Sequence, residues 1–221
     1  MGIEKYIHVI SQSGLFSGIP EESYHDALKY LHAFTRSFSK GEFIMNIGDE
    51  FRYAGLVLEG VIECSYHDSD FNKYNMNHFS ECELFGESMT CAEVNDSPMQ
   101  ISAVTDCVIM FLDFRVLYDS SVKYEYSMRL SVNIIRSISS QNFFMNQKVR
   151  ILSVKDLRSR IIIYLESLHP DENGNVTLPF TKTSMAEFLC VNRTALSREL
   201  SHMIHDKIIT MKGRKFTLCK Q

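Results

Sequence analysis

The sequence contains no long hydrophobic run, although 45% of its 221 residues are apolar. A membrane-spanning helix needs about 20 consecutive apolar residues, and no stretch approaches that length. The first residues also lack an apolar secretion segment, and Tyr6 stands where a myristoylation signal needs Ser or Thr. We therefore exclude a transmembrane protein and expect a cytoplasmic one with one large or two modest domains.

Closely spaced cysteine pairs are also missing. The six cysteines stand at positions 64, 82, 91, 107, 190 and 219, so none has the Cys-x-x-Cys spacing of metal and redox sites. This spacing argues against a structural zinc site and against a cysteine-ligated iron–sulfur cluster. In a reducing compartment we expect the thiols to behave mainly as small apolar residues.

Positive charge is scarce in the first two thirds of the chain. Residues 1–145 carry ten Lys and Arg against twenty Asp and Glu, a net charge of −10. Residues 146–221 carry thirteen against seven, a net charge of +6, and the whole-chain value of −4 conceals this division. A basic segment is the electrostatic signature of a polyanion partner such as DNA, so the two regions are expected to have different functions.

Short apolar segments punctuated by glycines predict an antiparallel β-roll between about residues 34 and 112. Residues 4–33 are typical of two helical pieces, the second with Pro20 at its first position. Glu59-Gly60 is typical of a tight hairpin turn. The expected strand segments are residues 43–45, 56–58, 61–64, 101–104 and 108–112.

Neither Pro nor Gly occurs between Leu112 and Pro170, which favours long helices there. A helix over residues 122–146 would be about 37 Å long, more than a small roll can cover. One face of this helix is an apolar stripe whose residues recur at steps of three, four and seven: Met128, Val132, Ile135, Ile138 and Met145, with Leu130 and Ile134 beside them. This stripe packs either on the protein's own roll or on the same helix of a second subunit, and the length of the helix favours a homodimer.

Residues 181–205 predict two short helices around Cys190-Val191-Asn192, after a further amphipathic helix over residues 151–168. Asn192 is a good N-cap for the second of the pair. Arginine and hydroxyl side chains near the N-terminus of such a helix suit base edges and phosphates in the DNA major groove. The apolar face consists of Leu196, Leu200, Met203 and Ile204, and the opposite face presents Arg193, Thr194, Ser197 and Arg198.

A basic hairpin is predicted after these helices. The apolar segments 208–211 and 216–218 flank Lys212-Gly213-Arg214-Lys215, whose tip can reach a phosphate backbone. Lys182, Thr183, Lys212 and Arg214 therefore join the candidate DNA-binding residues. The alternative is a helical hairpin with a solvated charged face. The combination of a helix pair, a cap, two arginines and a basic hairpin favours DNA binding.

Five segments, in the same order along the chain, resemble the Crp/Fnr family of bacterial transcription regulators. Single pieces such as Phe85-Gly86-Glu87 are weak signals, but five in register are specific. The matching segments are Leu15-Phe16-Ser17-Gly18-Ile19, Lys40-Gly41-Glu42 with Gly48-Asp49, residues 57–62, Leu84-Phe85-Gly86-Glu87, and residues 192–200.

The resemblance implies an α+β protein with an N-terminal antiparallel β-roll like that of cyclic-nucleotide-binding domains, a long dimerisation helix and a C-terminal winged helix-turn-helix. The corresponding domains are expected at residues 1–113, 114–150 and 151–221. The resemblance also implies a homodimer that binds double-stranded DNA, contacts RNA polymerase and responds to a small effector. Thr194 stands where many relatives carry Glu. Cys190 stands where Gly often occupies the turn, which a side chain tolerates only if φ is negative there.

By resemblance, the effector pocket would hold a ribose with a Gly-Glu pair and a cyclic phosphate with an arginine. The Gly-Glu pair is present, but no arginine occurs between Arg52 and Arg115. Burying a phosphate without a cation is costly, so cyclic AMP is disfavoured and the effector stays unidentified. Glu87 is either a ligand contact or a structural hydrogen-bonding residue. The candidate pocket residues are Gly86, Glu87, Ser88, Ser97, Pro98, Gln141 and Asn142.

Three alternatives concern other sensing chemistries and another protein class. A haem sensor would use His67 or His78, and a thiol switch would use Cys64, Cys82 or Cys91. A cupin-type metal enzyme would need clustered histidines in the roll, and no His-x-His pair occurs between residues 34 and 112. A module acting by protein contact alone would leave the basic hairpin unexplained. We predict no metal and no cofactor.

Overall fold

The computed structural model describes residues 3–67, 73–119, 123–168, 170–178 and 182–219. The chain divides into two compact units, residues 1–140 and 141–221, each of which is described separately. This division falls inside the helix Ser127–Leu152, and the domain bounds expected after residues 113 and 150 stay a prediction. Among the described residues, no helix is both long and apolar enough to cross a membrane.

The first unit contains the predicted roll, made of two four-stranded antiparallel sheets. The strands are β1 (Phe34–Phe38), β2 (Phe43–Met45), β3 (Ala54–Glu59), β4 (Ile62–His67), β5 (Lys73–Phe79), β6 (Leu84–Phe85), β7 (Gln100–Ala103) and β8 (Cys107–Leu112). One sheet has the order β1-β8-β3-β6, and the other has the order β2-β7-β4-β5.

Strands β3 and β8 are apolar along nearly their whole length because both faces of their sheet are covered. Leu56 and Met110 belong to a core shared with the helices of this unit. Val57 and Ile109, their neighbours in sequence, belong to a second core inside the roll. Successive side chains of a strand point to opposite faces, so continuous apolar segments are required here.

The predicted Glu59-Gly60 hairpin is wrong. Strand β3 pairs with β6 and β8, whereas β4 pairs with β5 and β7, so Gly60 joins two different sheets. Its φ is +85°, and a Cβ atom there would lie 2.3 Å from the carbonyl oxygen of Asp106. The two-residue pattern predicts a tight reversal of the chain, but it does not specify which strands then pair.

Short helices surround the roll in the first unit. Helix α1 spans Ile7–Gln12, α2 spans Tyr24–Tyr30 and α3 spans Glu87–Cys91, with 3₁₀ turns at Ile3–Tyr6, Gly14–Phe16, Glu21–Ser23 and Phe114–Tyr118. The two N-terminal helical regions are confirmed. Pro20 precedes the first helical position instead of occupying it, because its ψ is 145° and the turn begins at Glu21.

Helix α4 runs from Ser127 to Leu152, about 39 Å at 1.5 Å per residue. It begins five residues later than expected and ends six residues later. Tyr124 stacks on Tyr30 and donates a hydrogen bond to the Ser23 carbonyl at 3.2 Å, which holds the preceding segment in a non-helical path. Leu130 and Ile134 are buried in the core of the first unit.

The second unit holds the helix pair and the basic hairpin. Helices α5 (Leu157–Ser167), α6 (Lys182–Phe188) and α7 (Arg193–His205) accompany the strands β9 (Asn175–Thr177), β10 (Ile209–Lys212) and β11 (Lys215–Leu218). These strands form one sheet of order β10-β11-β9. Buried side chains from all three helices and from β11 form one core, including Leu165, Leu189, Leu200 and Phe216. A winged helix-turn-helix is therefore present, as expected.

Candidate DNA-binding surface and effector pocket

Helix α7 is fixed in rotation by its cap and by its apolar face. The Asn192 side-chain oxygen accepts a hydrogen bond from the Ala195 N–H at 2.7 Å. Leu196, Leu200 and Met203 are buried, as predicted, whereas Ile204 at the edge of this face is 37% exposed. A capped helix docked by one stripe must present its opposite stripe outward.

The outward stripe carries the candidate DNA-binding residues. Arg193, Thr194, Ser197 and Arg198 are all exposed. Among the described side chains, neither arginine forms an ion pair with a carboxylate. Both guanidinium groups are therefore available to an external anion, and they lie in the first two turns of α7.

Two acidic residues on or next to α7 are held by an arginine of α5. Arg158 donates a hydrogen bond to Glu199 at 2.7 Å and another to Asp206 at 2.8 Å. Hydrogen bonds from His205 and Arg158 lower the pKa of Asp206, so its carboxylate stays ionised and paired. This pairing anchors α7 to α5 and reduces the negative charge that would repel phosphates. Sequence reasoning missed the role of Arg158, because residues 158 and 199 are far apart in the chain.

A second arginine of α5 holds the turn of the helix pair. The Arg160 guanidinium donates two hydrogen bonds to the Val154 carbonyl, at 3.1 and 2.8 Å, and one to the Leu189 carbonyl at 3.0 Å. These carbonyl groups lie beyond the ends of α4 and α6, where intrahelical partners run out. Arg160 is therefore structural, although the sequence suggests only a generic basic residue.

Cys190 occupies a left-handed backbone position. Its φ is +53°, a left-handed value that glycine adopts without strain and other residues rarely adopt. The negative φ at which a side chain would be tolerated in this turn is therefore not found. The thiol is exposed. The turn closes through the Val191 N–H, which donates to the Ala186 carbonyl at 3.0 Å.

The hairpin of β10 and β11 confirms the predicted wing. Lys212, Arg214 and Lys215 are exposed, and Gly213 has a φ of +64° in the tight turn between the strands. At the start of α6, Lys182 is half-buried and Thr183 is exposed. The wing and α7 therefore each present exposed cations within the second unit.

Gly86 and Glu87, the Gly-Glu pair of the roll, both contact other residues of the first unit. Gly86 has a φ of +76°, and a Cβ atom there would lie 2.5 Å from the Phe51 ring. Glu87 is fully buried, and one of its carboxylate oxygens accepts a hydrogen bond from the Ser137 hydroxyl of α4 at 2.7 Å. Of the two expected roles for Glu87, this contact favours the structural one.

The stretch that would bind a phosphate carries no positive charge. Ser97 is buried, and its hydroxyl donates a hydrogen bond to the Met99 carbonyl at 2.6 Å. Ser88 and Pro98 are exposed. Gln141 and Asn142 belong to the second unit and are also exposed. Between Arg52 and Arg115, the described part of the roll thus offers polar groups but no arginine for an anion.

The candidate residues for haem and thiol sensing lie in the roll. The His67 side chain lies outside the described residues, and the exposed His78 ring is 3.7 Å from Glu63. Burial raises the pKa of the Cys64 thiol to about 12 and also raises that of Cys82, which disfavours their reactive thiolate forms. Within the described ranges, no group of three or more His, Cys, Asp or Glu side chains could hold a metal ion.

Solved structures share this fold at low sequence identity. CprK in complex with OCPA has a TM-score of 0.66 at 17% identity, covering 87% of this chain and 88% of that one. The c-di-GMP-responsive regulator CLP of Xanthomonas campestris has 0.61 at 16%, covering 90% and 100%. The Thermus thermophilus catabolite activator protein has 0.55 at 18%, covering 94% of each chain. No curated protein sequence matches the chain significantly.

Two family comparisons cover both functional parts of the chain. Residues 35–120 match the cyclic nucleotide-binding domain, and residues 159–220 match the Crp-like helix-turn-helix domain. The first match spans the roll and the second spans α5 to the wing. Their order and the fold agree with the resemblance noted in the sequence. The chain belongs to the Crp/Fnr family of DNA-binding transcription regulators, a family that is not enzymatic.

Proposed function

We propose that this regulator is a homodimer that reads an inverted-repeat operator through Arg193 and Arg198 of α7. The observation that carries this proposal is the pair of exposed guanidinium groups, without carboxylate partners among the described residues, on a helix whose other face is docked. Arginine forms bidentate hydrogen bonds to guanine in the major groove, and each such pair contributes about 1–3 kcal/mol of discrimination. Thr194 and Ser197 lie on the same stripe and supply shorter contacts.

The dimer is supported by a heptad pattern along α4. Met128, Ile135, Asn142 and Val149 are spaced by seven residues, and the three apolar ones are 74%, 61% and 66% exposed. A sustained heptad stripe of this kind packs on a copy of itself in a coiled coil. Asn142 then occupies a core position, where a polar residue fixes the register of the two helices. In such a twofold dimer, the two α7 helices would read half-sites about 34–36 Å apart.

The effector that we propose for the roll is not a cyclic nucleotide. No arginine stands between Arg52 and Arg115, and the buried Glu87 carboxylate accepts a hydrogen bond from Ser137 of α4. The link from Glu87 to Ser137 gives a ligand in the roll a direct route to the proposed dimer helix. Such a ligand would shift the population of DNA-binding conformations, as in other two-state regulators. We also propose that the regulator acts in the cytoplasm and contacts RNA polymerase.

The test is an anisotropy titration of a duplex selected by the native protein. The Arg193→Ala, Arg198→Ala variant should bind at least about 30-fold more weakly, because two charge-assisted base contacts of about 1–3 kcal/mol each are lost. The matched control is Arg36→Ala, Arg136→Ala, which removes two exposed arginines from the first unit and should leave the affinity within about threefold. Equal affinities for the two double variants would refute the proposed reading helix.

A further inference from the structure

A cavity in the second unit lies outside every site described above. Its volume is about 450 Å³, and it is bounded by the C-terminal half of α4, the C-terminal half of α5 and the end of α6. This volume falls within the range of small-molecule sites, about 300–1,000 Å³. The cavity therefore has room for a ligand within the DNA-binding unit itself.

The cavity wall is largely aromatic. Phe143 and Phe144 of α4, Tyr164 of α5 and Phe188 of α6 line it. The Phe188 ring centroid lies 5.0 Å from that of Tyr164 and 5.8 Å from that of Phe144. These separations are typical of interacting aromatic rings, and the ring planes are tilted by 42° and 59°, so a flat ring can pack against the face of one and the edge of another. Phe143 is 67% exposed and Phe144 is 55% exposed, which leaves the cavity accessible from solvent.

The cavity lies on the opposite side of α4 from the heptad stripe. At 100° per residue, the cavity-lining positions 143, 144, 147, 150 and 151 centre about 180° away from one face of α4. That face holds positions 142 and 149 of the heptad stripe, together with positions 145 and 152, which follow each of them by three residues. A second copy packed along the stripe would therefore contact the other face of the helix. Formation of the proposed dimer would consequently leave the Phe143 and Phe144 rings exposed.

The charges around the cavity favour an anionic ligand. Arg150 lines it, is exposed and has no ion pair among the described side chains. Lys148 places its ammonium group 5.2 Å from the centroid of the Phe188 ring. Among the described side chains, Glu166 supplies the one carboxylate of the lining. Two cations against one anion give a net positive rim, and arginine binds carboxylates and sulfonates in a bidentate manner.

We propose that this cavity binds a flat aromatic anion, with its ring packed against Phe144 and Phe188 and its acidic group paired with Arg150. Phe188 is the last residue of α6, the first helix of the helix-turn-helix. A ligand bound there contacts α4, α5 and α6 together and restrains the arrangement of the three helices. The site is distinct from the roll, so it constitutes a second ligand input to the regulator.

The probe for the test is 8-anilinonaphthalene-1-sulfonate, an aromatic anion whose fluorescence rises in apolar sites. The native protein should bind one molecule per chain at this site, and Arg150→Gln should weaken binding about tenfold. Arg136→Gln, the matched control on α4 outside the cavity, should leave it unchanged. N-phenyl-1-naphthylamine, which lacks the sulfonate, should bind the native protein about tenfold more weakly and should not respond to Arg150→Gln.

Isoleucine methyl NMR locates the bound probe without reference to DNA. The signals of Ile151 and Ile163, which line the cavity, should shift on titration, whereas those of Ile101 and Ile109 inside the roll should not. Shifts confined to Ile101 and Ile109 would overturn the proposal. Affinity that is unchanged by Arg150→Gln but lost on Glu166→Gln would also overturn it, because that pattern identifies a cationic ligand. Neither result depends on the assignment of Arg193 and Arg198.

Discussion

The two units of the chain differ in how they use charge. In the second unit, the carboxylates beside α7 are paired with Arg158, while Arg193 and Arg198 remain exposed and available. In the first unit, the carboxylate of the Gly-Glu motif is buried against Ser137, and the expected phosphate-binding stretch has no cation. The second unit thus presents positive charge to an external partner, whereas the first unit uses a carboxylate to connect its own helix and roll. Family membership therefore identifies the DNA-binding surface more directly than it identifies the effector.

The largest predicted effect concerns the corner that joins the two sheets of the roll. Gly60→Ala should destabilise the first unit by about 3 kcal/mol or more, because a left-handed backbone and a backbone clash at 2.3 Å coincide there. Gly41→Ala is the matched control, since Gly41 also has a φ of +85° but a Cβ atom would meet nothing within 4 Å. Gly41→Ala should lower the stability of the first unit by only about 1–2 kcal/mol. Hydrogen exchange of β3 and β8 amides measures both, and equal losses would contradict the corner geometry.

The next effect tests the link between the roll and α4. Ser137→Ala should lower the stability of the first unit by about 1–3 kcal/mol, because it removes a donor from the buried Glu87 carboxylate. Ser139→Ala removes an exposed hydroxyl from the same helix and should change stability by less than about 0.5 kcal/mol. If the two variants have the same hydrogen-exchange protection, the Glu87–Ser137 bond is not a structural link.

The smallest effect concerns the turn of the helix pair. Cys190→Gly should stabilise the second unit by about 0.5–1 kcal/mol, because glycine adopts a φ of +53° without strain. Cys190→Ala retains the Cβ atom and should give no gain. Amide exchange in α7 reports both variants. A gain for Ala equal to that for Gly would show that the thiol, rather than the backbone, is the source of the strain.

Local patterns specified the second unit better than the first. The Asn192 cap, the apolar stripe of α7 and the basic turn around Gly213 are each determined within about ten residues, and the structure contains all three. The Glu59-Gly60 turn was misassigned because strand pairing in the roll depends on segments far apart in sequence. A local pattern predicts that the chain turns but does not specify its partner strand.

Side-chain contacts between residues far apart in the chain could not be predicted from the sequence either. Arg158 and Arg160 read as ordinary basic residues of an amphipathic helix, yet they bind Glu199 and the Leu189 carbonyl across the second unit. The start of α4 was placed too early because the apolar spacing does not reveal that Tyr124 packs on Tyr30. The effector-pocket residues stay a prediction, since no ligand contact bears on them.

The central claim is that α7 reads bases while the wing contacts phosphates. The direct measurement is the ratio of affinities for the selected operator and a scrambled duplex at one salt concentration, for two double variants. Arg193→Ala, Arg198→Ala should lower this ratio by on the order of 100-fold, whereas Lys212→Ala, Arg214→Ala should weaken binding to both duplexes alike and preserve it. A ratio that survives loss of the two α7 arginines would contradict the account.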